Sequence, residues 1–354
     1  MSQDFVTRLQ LQLRDAAERE ERRGLAGRAA HRARHDVPWR PALALAALAV
    51  AAILVVGAAS TLHRHRTPAN HGLRVVSHKP LVSEGGPLIA GFGSIWAVDS
   101  ATGQVLRLDP HTHAVRARIT LGGDLAPQLE VADGAVWACD GARLLRIDPA
   151  TNAIVARVPL GTPARTFVGV IAGPGVVWVV SPTEMLRFDP SRNVFDGKVT
   201  LSRGGFEANG FGGDGRTLYF TRADGSLAAF DARTGARLES RSVPLNGVSV
   251  AASRGKVFLA TEKSVGALDV RTGRTLWNEP LRVQRINGVV LGGSTLWVEG
   301  ADLTGGGDRV WRIDAASGRV TGTLALSDLG AGGMAPVGRG LWLVSSAGVL
   351  QIIQ

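Results

Sequence analysis

Between residues 72 and 354 the apolar positions fall into short runs bounded by Gly, Ser, Thr, Asp or Pro, and the runs recur. The organising run is Gly93-Ser-Ile-Trp-Ala-Val-Asp99, followed by the turn Ser100-Ala-Thr-Gly103 and a second run, Gln104-Val-Leu-Arg-Leu-Asp109. Ile95 and Ala97 alternate with Trp96 and Val98, and so apolar a run suits a strand buried on both faces. A connection of Ser, Thr and Gly makes the pair a β-hairpin. Gly134-Ala-Val-Trp137 follows after 41 residues and Gly175-Val-Val-Trp178 after 41 more; the register continues through Tyr219, Phe258, Trp297 and Trp342. Seven copies of an aromatic-centred strand predict a repeat architecture.

Each unit has four beats. In the first, Pro87–Ala90 is a short apolar strand, Ser94–Asp99 carries the aromatic, Gln104–Asp109 is third, and Ala114–Thr120 alternates apolar and polar residues. That alternation is expected of an outer strand with one wet face. The third and fourth strands are joined by a recurring turn: Asp109 to His113, Asp148 to Asn152, Asp189 to Asn193, Asp231 to Gly235, Asp269 to Gly273 and Asp314 to Gly318. The leading Asp caps backbone N–H groups, and a final Gly or Asn tolerates positive φ. Four strands per unit and seven units predict an all-β fold, a seven-bladed β-propeller. The last unit holds three strands, and Gly72–His78 belongs to no unit. This N-terminal strand is expected to close the last blade, leaving no free edge there. The aromatics are then packing residues between blades.

Ahead of the repeats, residues 41–62 contain no charge, and 22 residues span roughly 33 Å as a helix, enough for a bilayer core. They predict one transmembrane helix preceding the propeller. Six arginines precede the span and four basic residues follow it, which favours a cytoplasmic N-terminus and places the propeller outside the cytoplasm, in a single-pass cell-membrane topology. The competing reading is a cleaved signal peptide ending at Gly57-Ala58-Ala59. Residues 1–40 form an amphipathic and basic cytoplasmic segment. Phe5, Leu9 and Leu13 recur at helical spacing within 1–24, a face on which a cytosolic partner can dock. Residues 63–71 are a linker, and 72–354 are the propeller.

Charge changes the picture less than it first suggests. The chain is formally +10, but residues 1–80 hold 13 Lys+Arg against 6 Asp+Glu, net +7, leaving net +3 for residues 81–354. The repeats lack a basic stripe interleaved with aromatics, so no nucleic acid is expected as a partner. The one cysteine, Cys139, lies in a repeat strand and cannot form an intramolecular disulfide.

In a propeller the loops between blades share a face with the loops joining second to third strands. Candidate ligand-binding residues on that face are Gln128, Asn209, Asn246 and Asn287 from the first set, and Asp99, Asp140, Glu184 and Glu299 from the second. The three asparagines each precede Gly at the start of an inner strand, and the sixth unit carries the longest loop, Glu299 to Arg309. Neither a zinc spacing nor a P-loop nor a Ser/His/Asp set is present, so catalytic residues, metal and cofactors are all read as none.

The blades resemble those of virginiamycin B lyase-like and YVTN-type propellers, through Gly93-Ser-Ile-Trp96-Ala-Val-Asp99 with Leu106-Arg-Leu-Asp109-Pro, and through Gly134-Ala-Val-Trp137-Ala-Cys-Asp140 with Leu145-Arg-Ile-Asp148-Pro. The resemblance covers 72–354 and implies the fold. Those lyases use a histidine and acidic residues with a divalent metal to open a cyclic ester, whereas here no histidine follows His113. Ala267 to Trp277 is similar to a blade end of quinoprotein dehydrogenases, where a Trp recurs around the ring; the equivalents here are Leu238 and Val320. The expected function is therefore a membrane-tethered, non-catalytic propeller that binds an extracytoplasmic protein or small ligand. The alternative is a metal-assisted lyase or hydrolase of the virginiamycin B lyase-like type.

Overall fold

A computed structural model describes residues 72–122, 128–161, 169–201, 208–222, 224–243, 245, 247, 249–303, 307–326, 331–345 and 348–353. The expected span 41–62, the segment 1–40 and the linker 63–71 lie outside these residues. Among the described residues no helix is long and apolar enough to cross a membrane.

The repeats fold into seven four-stranded antiparallel sheets, each one blade of an all-β propeller. In six blades the strands follow in sequence from the innermost to the outermost. Blade 7 is built from both ends of the propeller: Ala331–Val337, Gly340–Ser345 and Gly348–Ile353 are its inner three strands, and Arg74–Lys79 is its outermost. Arg74 lies opposite Ile353 and Lys79 opposite Val349, as the ring-closing reading anticipated.

Each second strand is dry on both faces because it is flanked within its blade and sandwiched between neighbouring blades. Ile95, Trp96, Ala97 and Val98 are fully buried. The aromatics all face the next blade. Trp96 packs with Leu129 and Val136 of blade 2, Trp137 with Val170 and Val177 of blade 3, and Trp342 with Ile95 and Leu106 of blade 1. Polar groups reinforce several of these seams, among them the first three. Arg107, beside Trp96 in the third strand, stacks on the indole at 4.9 Å and donates to the Pro149 carbonyl and to Asn152 Oδ1 in the blade 2 turn. Arg146 and Arg187 reach the Pro190 and Arg233 carbonyls of blades 3 and 4.

Two faces result. The turns joining first to second and third to fourth strands form one, here the turn face. The second-to-third loops and the inter-blade connections form the other, the loop face. On the turn face, the recurring Asp accepts backbone N–H groups as expected: Asp231 Oδ1 takes those of Arg233 (3.1 Å) and Thr234 (2.8 Å). The turn ends in positive φ at Gly235, Gly273 and Gly318, at Asn152 and Asn193, and also at His113.

Candidate functional site on blade 6

Blade 6 departs from the other six where its hairpin meets the loop face. Its inner strand runs Val283–Gly292 and its second Thr295–Asp302, ten and eight residues, and its third Asp308–Asp314. The Glu299–Arg309 segment expected as a loop is mostly ladder: Glu299 pairs with Val310, Gly300 with Arg309 and Ala301 with Asp308. The extra pairing brings backbone close. A Cβ on Gly300 would stand 2.5 Å from the Arg285 carbonyl oxygen, so this strand needs glycine where blades 1 and 2 have Asp99 and Asp140.

Counting from the aromatic, Glu299 lies two residues after Trp297. The same place in the other blades holds Val98, Cys139, Val180, Thr221, Ala260 and Val344. Glu299 is thus a carboxyl set into an apolar layer between blades, and it is only 1% exposed. Asn287 reaches it because the inner strand bulges. The register slips between Ile286 and Gly288, leaving Asn287 as the extra residue. Its Nδ2 donates to Glu299 Oε1 at 3.0 Å. Asp308, buried in the third strand, shares a side-chain hydrogen bond with Glu299.

Burial pushes the Glu299 carboxyl up to about 7, and the neighbouring Asp308 charge adds to the shift. Asp308 is itself raised by burial. Two carboxyls in contact within a dry layer disfavour the doubly charged state, so their titrations are coupled. Beside them Asp302 takes Arg309 in a two-pronged ion pair, Nε 2.9 Å and Nη2 2.6 Å. The tip of the hairpin presents Leu303, which is 52% exposed.

The remaining expected residues are placed apart from this cluster. The Asp99 carboxylate is taken up by neighbouring backbone, accepting N–H groups from Ser83 (3.2 Å) and Glu84 (3.2 Å) ahead of the blade 1 inner strand and from Ala101 (3.3 Å) in its own loop. Asp140 accepts from Ala142 and Arg143 backbone and pairs with the Arg143 guanidinium at 2.6 Å. Glu184 pairs with Lys198 Nζ at 3.2 Å across the third and fourth strands of blade 3. Gln128 is half-buried at the start of the blade 2 inner strand. Asn209 occupies a bulge like that of Asn287, with the register slipping between Ala208 and Gly210. Asn246 lies outside the described residues. It stands five places before Ala251, the partner of Phe258, whereas Asn209 and Asn287 stand three before the partners of Tyr219 and Trp297; the three are not equivalent.

Two residues escaped the sequence reading. Asp308 lay inside a segment read as loop. Glu130 occupies the inner-strand place opposite the aromatic of blade 2, where the other blades have Ile89, Ile171, Gly212, Ala251, Val290 and Ala335. It is half-buried, and desolvation alone pushes it up to about 7. Aligning the seven inner strands exposes Glu130, and aligning the seven second strands exposes Glu299, as charges in mostly apolar columns.

Fold and site together define a seven-bladed β-propeller with a differentiated sixth blade and an acidic pair buried beside its loop face. Residues 69–323 match the family model PQQ_2, described as outer membrane protein assembly factor BamB, and the chain belongs to that family. No match is found among curated protein sequences. Among solved structures, a streptogramin B lyase is similar at TM-score 0.64 and 15% identity, over 79% of this chain and 96% of that one. BamB from Moraxella catarrhalis is similar at TM-score 0.52 and 17% identity, over 75% and 84%. Identities this low speak for the shared fold and for nothing finer.

Proposed function

We propose that this chain is a membrane-tethered, extracytoplasmic propeller that binds a protein or small ligand on its loop face without catalysis. The observation that carries the reading is the lengthened blade 6 hairpin. It projects an exposed Leu303 from a base held by the Asn287–Glu299–Asp308 cluster, where the other blades have shorter connections and mostly apolar side chains. An apolar tip on a rigid polar base is a recognition element of the kind that anchors interfaces. Membership of a family described as an outer membrane protein assembly factor supports binding of protein as the general role. The uncharged run 41–62 supports the tether.

The metal-assisted lyase reading draws on Glu299, whose near-neutral carboxyl suits a general acid. Its donor set does not fit a divalent metal. Glu299 and Asp308 are occupied with one another, no histidine follows His113, and the described residues contain no group of three His, Cys, Asp or Glu side chains placed to hold an ion.

The test is site-specific photocrosslinking of the full chain in its native envelope, with the probe at Leu303 on the loop face or at Ser294 on the turn face. A discrete protein adduct from Leu303, absent from Ser294, is the expected result. Equal labelling from both positions, or none from Leu303, would overturn the reading.

A further inference from the structure

The turn face is not electrically uniform. On blades 4 to 6 its turns carry Arg216, Arg233, Arg254, Arg271, Arg274 and Arg319, all exposed. None of these six side chains forms a salt bridge or a side-chain hydrogen bond with another described residue. Their acidic neighbours Asp214, Asp231, Asp269 and Asp314 are turned inward on backbone N–H groups of their own turns. The matching turns of blades 2 and 3 carry Asp133, Asp148 and Asp189 against one arginine, Arg192. With six arginines against four aspartates on blades 4 to 6, and one arginine against three aspartates on blades 2 and 3, the face is basic in the first sector and acidic in the second.

The chain enters the propeller on the basic side. Arg74 pairs with Ile353, at the turn-face end of blade 7, next to blade 6, and the strand then climbs to Lys79 at the loop face. Whatever precedes Gly72 joins here. If the span ends at Leu62, nine residues remain before Gly72, a reach of roughly 30 Å at most. Those nine include Arg64 and Arg66.

We propose that the basic sector of the turn face, blades 4 to 6, rests on an anionic lipid surface, leaving the loop face and Leu303 directed away from the bilayer. The inference rests on the tethered reading above. Exposed guanidiniums without a salt bridge, spread over the turns of three adjacent blades, present an array of charge that suits a field of phosphate headgroups better than a single anion in a pocket. Each basic charge close to an anionic leaflet strengthens the attraction about fivefold, and the effect fades within a Debye length. Six such groups at one end of a short linker make docking a matter of orientation, since the tether has already supplied proximity.

The experiment uses the full chain reconstituted in vesicles of phosphatidylcholine, with or without phosphatidylglycerol. Cys139 is buried, so a thiol-directed donor dye labels Ser294→Cys (turn face) or Leu303→Cys (loop face) alone. Energy transfer to a headgroup-linked acceptor reads which face meets the lipid. The expected result is strong transfer from position 294 and weak transfer from 303 in phosphatidylglycerol vesicles. Raised salt, or the triple variant Arg233→Glu, Arg254→Glu, Arg271→Glu, should reduce transfer from 294 to its phosphatidylcholine level. Transfer from 294 that ignores phosphatidylglycerol, or that survives the triple reversal, would overturn docking. Flotation after a salt wash on phosphatidylcholine vesicles tests the tether separately. A chain that washes off refutes the tether, and its salt-sensitive capture by phosphatidylglycerol vesicles through the 294 face then still supports the docking surface.

Discussion

Replacing Glu299 with Gln should make the propeller more stable at pH 8 and leave it nearly unchanged at pH 5. In the folded chain the Glu299 carboxyl is raised from 4.5 to about 7, chiefly by burial and then by Asp308. In the unfolded chain it titrates near its ordinary value. Between those two values the native state holds a proton that the unfolded state has lost, so stability falls as pH rises, and the loss is complete once pH passes the folded value. A carboxyl held at about 7 against 4.5 unfolded, at about 1.36 kcal/mol per tenfold change in proton affinity, contributes ~3 kcal/mol of stability in acid that is absent in mild base. Gln reproduces the protonated carboxyl. Its amide N–H can donate to Asp308 while its oxygen accepts from Asn287, and it has no charge to release. The urea midpoint of the wild-type domain, followed by tryptophan fluorescence, should decline from pH 5 to pH 8, and that of Glu299→Gln should decline less, the curves parting by about 3 kcal/mol at the alkaline end. Parallel curves would mean that Glu299 titrates as a solvated group, and the account of a carboxyl set in a dry layer would fail.

Three further outcomes follow from the same geometry. Glu130→Ile, which restores the residue found in blades 1 and 3, should raise the urea midpoint more at pH 8 than at pH 5, because the burial that raises Glu130 opposes its charged form. Trp137→Ala should cost about 3–5 kcal/mol in equilibrium unfolding, since it empties a fully buried site packed on Phe188 at 5.3 Å; a loss under 1 kcal/mol would contradict the inter-blade role. Deleting residues 72–79 should leave the Gly348–Ile353 edge open and produce aggregation detectable by light scattering, and moving that strand to follow Gln354 should restore a monodisperse species.

A repeat protein carries its own control, and that explains both what its sequence discloses and what it conceals. The blades were legible because every second strand solves one problem, burying an aromatic against the next blade, and solves it with similar spacing each time. The ring closure was legible for the same reason, as a four-beat unit holding three strands must find its fourth elsewhere. The site was less legible because its chemistry arises from departures in register, and a one-residue slip moves a side chain to the other face. Glu299 is set by the sequence pattern with Asp99 and Asp140 among the acids of the second-to-third-strand loops. It stands one place earlier, in the inward column, because the strands of blade 6 run on past the point where the others end and Gly300 takes the capping place. Asn287 was singled out as part of an Asn-Gly step, yet what aims it is the bulge, which no local motif announces; Asn209 shares that bulge and Asn246 falls outside the count. The columns themselves hold the remedy. Glu130 and Glu299 are charges where the aligned places are mostly apolar or small, and the same dry surroundings that make those columns apolar raise both carboxyls to about 7. An apolar layer tolerates such a residue only at a loss of stability in its charged form, so Glu130 and Glu299 hold their places at a cost to folding that grows as pH rises.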